Sequence, residues 1–292
     1  MKRSLSSKNL DRICYIVLTV WGLLCILPLI NVFATAFSEA PAVEAGKVGL
    51  WPIGFTGESF TLLIEGTMAV RATLNSVVIT VGGTLICMVM TILAAYPLSK
   101  SYFVGNRFFT KMIVFTMLFS GGMIPGYIVV QKFGLIDTYW ALWLPAAINT
   151  YNMLVMRTFF NNIPHELEEA AIIDGCGEWR LLFKVFLPLS KPVLATLTLF
   201  YGVGHWNTFM NSLLYINSPE KQNLSVLVQQ MIKSMDVLTN ELTNANPGDL
   251  QAITSAGLRA AGVVIMVIPM LLIYPFLQKY FVKGVMLGAV KG

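Results

Sequence analysis

The segment NIPHELEEAAIIDGCGEWRLLFKVFLPLSKP, from Asn162 to Pro192, lies between two long apolar runs of the chain. It is a polar interruption in which many charged residues stand close together. Asn162 is suited to cap a helix start, and Pro164 is tolerated in a first helical turn. Gly175 is suited to a helix end. The segment therefore predicts a short helix over 163–174.

One face of this predicted helix is both small and apolar. Leu167, Ala170 and Ala171 stand at positions i, i+3 and i+4, which places them on the same side of a helix. Small side chains let another protein surface approach the backbone closely. The three glutamates near the helix start favour its positive end and argue against a helix that merely lies on anionic lipid headgroups. After the helix, we expect three larger side chains to pack back on the protein: Trp179, Leu182 and Phe183.

Composition places the rest of the chain in a membrane. Of the 292 residues, 56% are hydrophobic and 12% are charged, and the mean hydropathy is +0.69. Soluble domains carry about 25% charged residues. The formal net charge of +5 is therefore interpreted by its location along the membrane topology, and no nucleic-acid partner is predicted.

Six apolar runs are each long enough to cross roughly 30 Å of hydrocarbon as helices. The fold class is therefore all-α: a polytopic membrane protein with a polar N-terminus, 1–12, and a single transmembrane domain, 13–292. A loop at 161–184 separates helices 4 and 5. Glycines and Pro125 in the third run predict a kink, and Pro269 and Pro275 predict a bend in the sixth. The predicted spans are about 13–37, 72–98, 108–130, 139–160, 185–216 and 255–281.

The basic residues predict the orientation. If the N-terminus is cytoplasmic, fourteen of the 20 Lys and Arg residues fall in inside segments and six fall outside. This bias agrees with the positive-inside rule. Both termini and the 161–184 loop are therefore expected in the cytoplasm, and the two long loops, 38–70 and 217–254, are expected outside.

No catalytic or metal-binding motif is complete. The four cysteines form no CxxC pair, and no GxxxxGK[ST] loop occurs. The run from His165 to Glu169 approaches an HExxH zinc motif, but Glu169 stands where the second histidine would be. We therefore expect no metal site and no ATP bound by this chain.

Four matches carry a resemblance to a known family. Glu169-Ala170-Ala171, followed by Asp174-Gly175 and then Leu187-Pro188, resembles the EAA signature of ATP-binding-cassette (ABC) importer permeases. The run GHWNTF from Gly204, the tail from Tyr280 and the stretch GKVGLWPIGFT from Gly46 resemble the maltose-type carbohydrate-uptake permeases, most of all those paired with lipoprotein binders of larger oligosaccharides. Cys176 departs from the usual alanine but is of similar size.

The resemblance implies a type I importer permease in a bacterial cell membrane, with a non-catalytic role. The implied partners are a second homologous permease, two cytoplasmic ATPase subunits that bind the ATP and Mg²⁺, and an extracellular solute-binding lipoprotein that delivers the sugar. The 163–175 helix would be a coupling helix that docks on an ATPase subunit. The implied coupling residues are Glu169, Ala170, Ala171, Asp174, Gly175, Leu187 and Pro188.

A sugar pathway needs hydrogen-bonding groups and aromatic faces within the bundle. Interhelical packing is the competing explanation for every such residue, and the partner permease can supply most sugar contacts. The candidates are Tyr127, Asn149, Asn152, His205, Trp206, Asn207 and Asn211.

Other functions remain open from the residues alone. The chain could be an ABC permease for a non-sugar solute. It could be an intramembrane hydrolase that uses His165 and Glu166. An ion-coupled carrier is disfavoured because the span centres lack ionisable residues.

Overall fold

The computed structural model describes residues 5–119, 121–231, 233 and 255–289, and every regular element in these ranges is helical. Two compact units divide the chain: Met1–Ala69 with Leu227–Ile268, and Val70–Val226 with Pro269–Gly292. The first helices are α1 (Leu5–Ala36), α2 (Ala40–Glu44), α3 (Glu58–Gly66), α4 (Ala69–Ser99), α5 (Asn106–Leu118) and α6 (Met123–Lys132). They are followed by α7 (Trp140–Trp143), α8 (Thr150–Asn161), α9 (His165–Ile173), α10 (Glu178–Leu181), α11 (Leu187–Leu189), α12 (Lys191–Trp206) and α13 (Met210–Tyr215), then by α14 (224–231) and α15 (Ser255–Ala289).

Three of the described helical segments are long and apolar enough to cross a membrane: Arg12–Ala36, Ala69–Ser99 and Ala256–Ile273. About 20 apolar residues span the hydrocarbon layer. Apolar side chains cover the surface of the first segment, and none of its most apolar window is buried. Such a helix is stable where lipid or another apolar partner replaces water. These three segments correspond to the predicted spans one, two and six, although the second extends beyond its predicted span at both ends.

The third predicted span is broken, as its glycines indicated. It consists of α5 and α6, which are bent by 117° relative to each other. Gly122, with a φ of +84°, is the N-cap residue immediately before α6. Because a left-handed φ suits glycine, this position lets the chain change direction at little cost. The predicted kink is confirmed.

The fourth predicted span, 139–160, is not one helix. It contains the short α7 and, after a gap, α8. Pro145 lies in the gap and cannot donate a backbone hydrogen bond to a preceding helical turn. The side chain of Asn149 then starts α8 by accepting a 3.1 Å hydrogen bond from the backbone N–H of Asn152.

The fifth predicted span, 185–216, is also divided. The segment Glu178–Leu189, which includes a π-helical turn from Leu182 to Phe186, meets α12 at an angle of 82° around Ser190. Pro188 and Pro192 lack the N–H groups that a straight helix would need there. The chain leaves α12 at Trp206 and forms α13 separately. Counting each bent pair as one span gives up to five crossings among the described residues, so six crossings remain a prediction.

Each unit has its own apolar core. In the first unit, Leu63 and Ala69 pack with residues of α15, including Ala261 and Val264. In the second unit, a large cluster joins α4, α8, the 178–189 segment and α12 around Met156, Phe160 and Phe186. A second cluster there packs Ile79 against residues of α6, α7 and α13. The larger cluster supports the candidate site.

Candidate functional site

Helix α9 is close to the predicted helix but starts differently. It begins at His165, with Pro164 in the capping position and no side-chain cap. Asn162 ends α8 instead, where its backbone N–H bonds to the carbonyls of Thr158 and Phe159. The prediction that Asn162 caps the following helix is therefore wrong, because Asn162 is the C-cap of α8 and Pro164 occupies the N-cap position of α9.

The C-terminal end of α9 has the predicted glycine stop. Gly175 has a φ of +78°. Its N–H bonds to the carbonyl of Ile172, and the N–H of Cys176 bonds to the carbonyl of Ala171, both at 2.9 Å. These two bonds form a Schellman motif, which satisfies carbonyls that would otherwise be left without partners. The role of Gly175 as a helix terminator is confirmed.

The small residues of α9 do not all share one face. Ala171 is buried in the larger core cluster, whereas Ala170 and Glu169 are exposed. Leu167 is exposed too, and Ile173 is 84% exposed. The prediction of a single Leu167–Ala170–Ala171 face is wrong for Ala171, which packs inward because it lies beside the buried Glu168. The exposed surface of α9 is apolar except for its acids and His165.

Glu168 makes a buried ion pair with Lys100. The Nζ atom of Lys100 lies 2.7 Å from Oε1 of Glu168, and the two side chains are 5% and 12% exposed. The same Nζ lies 3.9 Å from the ring centroid of Phe186 and 4.8 Å from that of Tyr96. Aromatic faces attract cations, more strongly where water is excluded. Lys100 therefore joins the turn after α4 to α9.

Glu178 makes a second link to the same turn. The hydroxyls of Tyr96 and Tyr102 donate 2.7 Å hydrogen bonds to Oε2 and Oε1 of Glu178, respectively. Burial and the hydrogen bond to Glu178 raise the pKa of Tyr102, so its hydroxyl stays protonated as a donor. Beside these groups is a cavity of about 370 Å³ lined mainly by apolar side chains. The start of α10 is thus held against the end of α4.

Arg157, on α8, also stabilises the turn after α4. Its Nε donates to the carbonyl of Leu98 at 2.7 Å, and its Nη2 donates to Oδ1 of Asn106 at 3.1 Å. Asn106 in turn donates to the carbonyls of Leu98 and Lys100. The turn is therefore tied to α8 as well as to α9 and α10.

The exit from α9 differs partly from the prediction. Leu182 is buried, as expected, but Trp179 and Phe183 are exposed. Their rings stack on each other with centroids 6.2 Å apart instead of packing on the bundle. Among the other predicted coupling residues, Asp174 and Pro188 are exposed and Leu187 is half-buried.

Three of the predicted pathway residues are buried in the interior of the second unit: Asn152, His205 and Trp206. Nε2 of His205 lies 3.3 Å from Sγ of Cys87, and its ring fills the space above Gly83, where a Cβ atom would come within 2.7 Å. The neighbouring Tyr201 shares a 2.6 Å hydrogen bond with Thr91. For His205 these contacts favour interhelical packing over sugar binding.

The other four predicted pathway residues are more accessible. Asn149, Asn207 and Asn211 are exposed, and Tyr127 is half-buried with its ring stacked on Tyr215 at 6.2 Å. Asn149 already uses its side-chain oxygen to cap α8. Asn207 and Asn211 therefore remain the best-placed candidates.

A polar cluster around Asp137 connects the turn before α7 to the chain after α13. Asp137 has a φ of +62° and accepts hydrogen bonds from the backbone N–H groups of Asn217 and Ser218, from the Ser218 hydroxyl and from Lys221. The Ser218 hydroxyl and the Lys221 ammonium hold the pKa of Asp137 well below its ordinary value. Sequence reasoning missed this cluster.

The missed residues share one property. Lys100, Glu168, Glu178 and Asp137 are charged residues in turns or short helices whose partners come from distant parts of the chain. The position of Lys100 directly after an apolar span was the sequence signal that could have identified it. Lys100 entered only the count of basic residues. No group of three or more His, Cys, Asp or Glu residues that could hold a metal occurs in the part of the chain that the structure describes.

These features define a helical membrane protein in which the short helix α9 is exposed on one side. Polar contacts with the turn after α4 connect α9 to the membrane-spanning helices. Over residues 5–287, the chain matches the family described as the binding-protein-dependent transport system inner membrane component. The chain belongs to this family. The resemblance to importer permeases is thereby confirmed.

Similar proteins cover nearly the whole chain. The polygalacturonan/rhamnogalacturonan transport system permease protein YtcP of Bacillus subtilis (strain 168) is 40% identical over 291 residues, which are 99% of this chain and 100% of the relative. Protein LplC of the same organism is 41% identical over 273 residues, covering 93% and 91%. A chain in the crystal structure of a bacterial ABC transporter involved in the import of the acidic polysaccharide alginate has a TM-score of 0.85 at 28% identity, covering 96% of this chain and 99% of that chain.

Proposed function

We propose that this chain is a permease subunit of an ATP-driven ABC importer that takes up an oligosaccharide. The relative YtcP, named for polygalacturonan and rhamnogalacturonan, and the structure named for alginate import support a carbohydrate substrate. Alginate is named there as an acidic polysaccharide, and polygalacturonan is a polymer of an acidic sugar. Acidic oligosaccharides are therefore the first substrates to test.

The proposed topology has six crossings with both termini in the cytoplasm. The charge bias along the sequence supports this orientation, and the three long apolar helices and two bent pairs support five of the crossings. The short helices α7 and α8 would together supply the sixth. This arrangement puts α9 on the cytoplasmic side.

The outward surface of α9 is the observation that supports ATPase coupling. Glu169 and Ala170 are exposed side by side, and Gly175 ends the helix without a side chain. A partner surface can therefore approach the backbone closely and pair with the Glu169 carboxylate. In the proposed complex the partner ATPase subunits bind ATP and Mg²⁺, and this chain carries out no hydrolysis.

The proposed assembly contains a second homologous permease, two ATPase subunits and an extracellular binding protein. The family description, which makes transport dependent on a binding protein, supports the last of these. The loop predicted to face that protein, 217–254, lies largely outside the described residues. Asn207 and Asn211 are proposed to face the sugar pathway beside the second permease.

Two alternatives can be compared with this proposal. A permease for a non-sugar solute would share the same fold and coupling helix. An intramembrane hydrolase using His165 and Glu166 is disfavoured, because the His165 side chain is 82% exposed at the start of α9 instead of lying in an enclosed site.

Uptake measurements test the proposal. Cells would carry the wild-type chain, E169K or A170W, and accumulation of labelled trigalacturonate would be compared with that of maltotriose. We expect wild-type uptake of at least one sugar and a loss of at least tenfold in both variants at equal membrane abundance. The exposed E58Q variant, on α3, is the control and should retain uptake. Normal uptake in E169K and A170W would contradict the coupling role, and uptake of neither sugar would contradict the proposed substrate class.

A further inference from the structure

Helix α9 has little apolar contact through which to hold its position. Its buried residues are Glu168 and Ala171, and Ala171 contributes only one methyl group. The remaining side chains of its outer surface, including Ile173, are exposed. A helix that transmits force needs a firmer attachment than one methyl group.

The Lys100–Glu168 pair supplies that attachment. The 2.7 Å separation is formed between side chains that are almost completely removed from water. Water screens such a pair little, so its attraction is strong and depends on geometry. Phe186, on the segment that follows α10, closes over the ammonium group at 3.9 Å. Displacing α9 would therefore pull on Lys100 directly.

Lys100 lies immediately after α4, and α4 is bonded to α12. Thr91 and Tyr201 are 2.6 Å apart, and Cys87 and His205 are 3.3 Å apart. A displacement that reaches Lys100 can thus be passed to two of the membrane helices. Glu169, the next residue after Glu168, is exposed and is the residue proposed to contact the ATPase subunit.

We infer that Lys100 and Glu168 are positioning residues that transmit the movement of α9 to the end of α4. This inference rests on the proposed coupling function. The two neighbouring acids then have different roles: Glu169 contacts the ATPase, and Glu168 connects α9 to the helix bundle. The Tyr96–Glu178 and Tyr102–Glu178 bonds hold the next segment against the same turn.

Hydrogen exchange in the complete transporter tests the inference. The complex would be purified through a tag on this chain, placed in lipid nanodiscs, and compared with and without the ATP analogue AMP-PNP. In the wild type, we expect nucleotide to change deuterium uptake over both 163–176 and 95–105. In K100M and E168Q, the 163–176 response should remain, and the 95–105 response should fall to less than half.

Further variants separate transmission from folding. K100R keeps a cation beside Glu168 and should retain most of the 95–105 response. K111M removes an exposed lysine of α5 and should match the wild type. The double variant K100M/E168Q should lose no more than either single variant, because the two residues act as a unit.

The outcomes are distinguishable. An unchanged 95–105 response in both single variants overturns the inference and leaves the coupling function intact. Loss of the ATPase subunits from the purified K100M complex also overturns it, since the pair would then maintain the docking surface. A wild-type complex whose 163–176 region does not respond to AMP-PNP overturns the proposed coupling function, and the inference with it.

Discussion

Lys221 Nζ lies 2.9 Å from Oδ2 of Asp137 and 2.7 Å from the carbonyl oxygen of the same residue. Together with the bonds from Ser218, this contact ties the turn before α7 to the chain after α13. The positive φ of Asp137, uncommon for a residue other than glycine, is held by these partners. These contacts therefore stabilise the turn before α7 against the chain after α13.

The first prediction concerns D137N. The variant should lower the stability of the protein by about 1–3 kcal/mol, because hydrogen bonds to a charged group are lost or weakened. Thermal unfolding in nanodiscs at pH 7 would measure the change. E220Q is the comparison: Glu220 pairs with Arg71 at 3.0 Å, but both side chains are exposed, so the loss should be below about 1 kcal/mol.

The D137N effect should also depend on pH. Because the folded protein lowers the pKa of Asp137, the stabilisation is complete above the unfolded pKa, about 3.9. It is lost as the pH falls through the lower pKa of the folded state. The difference between wild type and D137N should therefore be constant above about pH 5 and shrink below about pH 4. A difference that grows on acidification would contradict this account.

The second prediction concerns G83A. The added methyl would lie within 2.7 Å of Cε1 and Nε2 of His205, and overpacking of this kind costs about 1–3 kcal/mol. We expect a lower thermal midpoint and partial recovery in G83A/H205A, which removes the obstructing ring. G204A, with no atom within 4 Å of the new Cβ, is the matched control. Equal midpoints for G83A and G204A would show that the packing is not as described.

The third prediction separates two roles of Asn149. If its role is to cap α8, N149A should lose about 1 kcal/mol of stability and N149D should lose much less. Thermal unfolding measures this difference, and sugar uptake measures the other role. Uptake should follow stability across the two variants. Normal stability with lost uptake in both would assign Asn149 to the sugar pathway instead.

The fourth prediction tests the orientation. In a background in which Cys14, Cys25, Cys87 and Cys176 are replaced by alanine, single cysteines are placed at Glu58 and Ile173. A membrane-impermeant maleimide should label E58C in intact cells and should label I173C only after permeabilisation. Both positions are exposed in the structure, and the test uses cells that lack the proposed ATPase subunits, so a docked partner does not cover Ile173. The reverse pattern would invert the proposed topology.

Several predictions from sequence succeeded because they depend on local chemistry. The break in the third span follows from glycines and a proline that weaken a helix wherever they occur. The end of α9 follows from Gly175, whose backbone adopts the left-handed conformation without strain from a side chain. The family matches depend on short runs of residues and needed no packing information.

The predictions that failed depend on contacts between distant segments. Trp179 and Phe183 were expected to pack on the bundle, but in the described part of the chain both rings are mostly exposed and stack on each other. Spans four and five were expected as continuous helices, since hydrophobicity alone does not show where prolines will redirect a chain. The sugar-pathway role of His205 and Asn152 stays a prediction, and the structure adds only that neighbouring helices bury both side chains.

The sequence by itself determined that this protein belongs in a membrane, where the short helix α9 lies and to which family the chain belongs. Composition, glycine positions and motif spacing carry that information in neighbouring residues. Only the tertiary structure decided that Glu168 faces inward and Glu169 faces outward. The two acids are chemically identical, and their roles separate because Lys100, brought there by the end of α4, offers a buried cation to one of them.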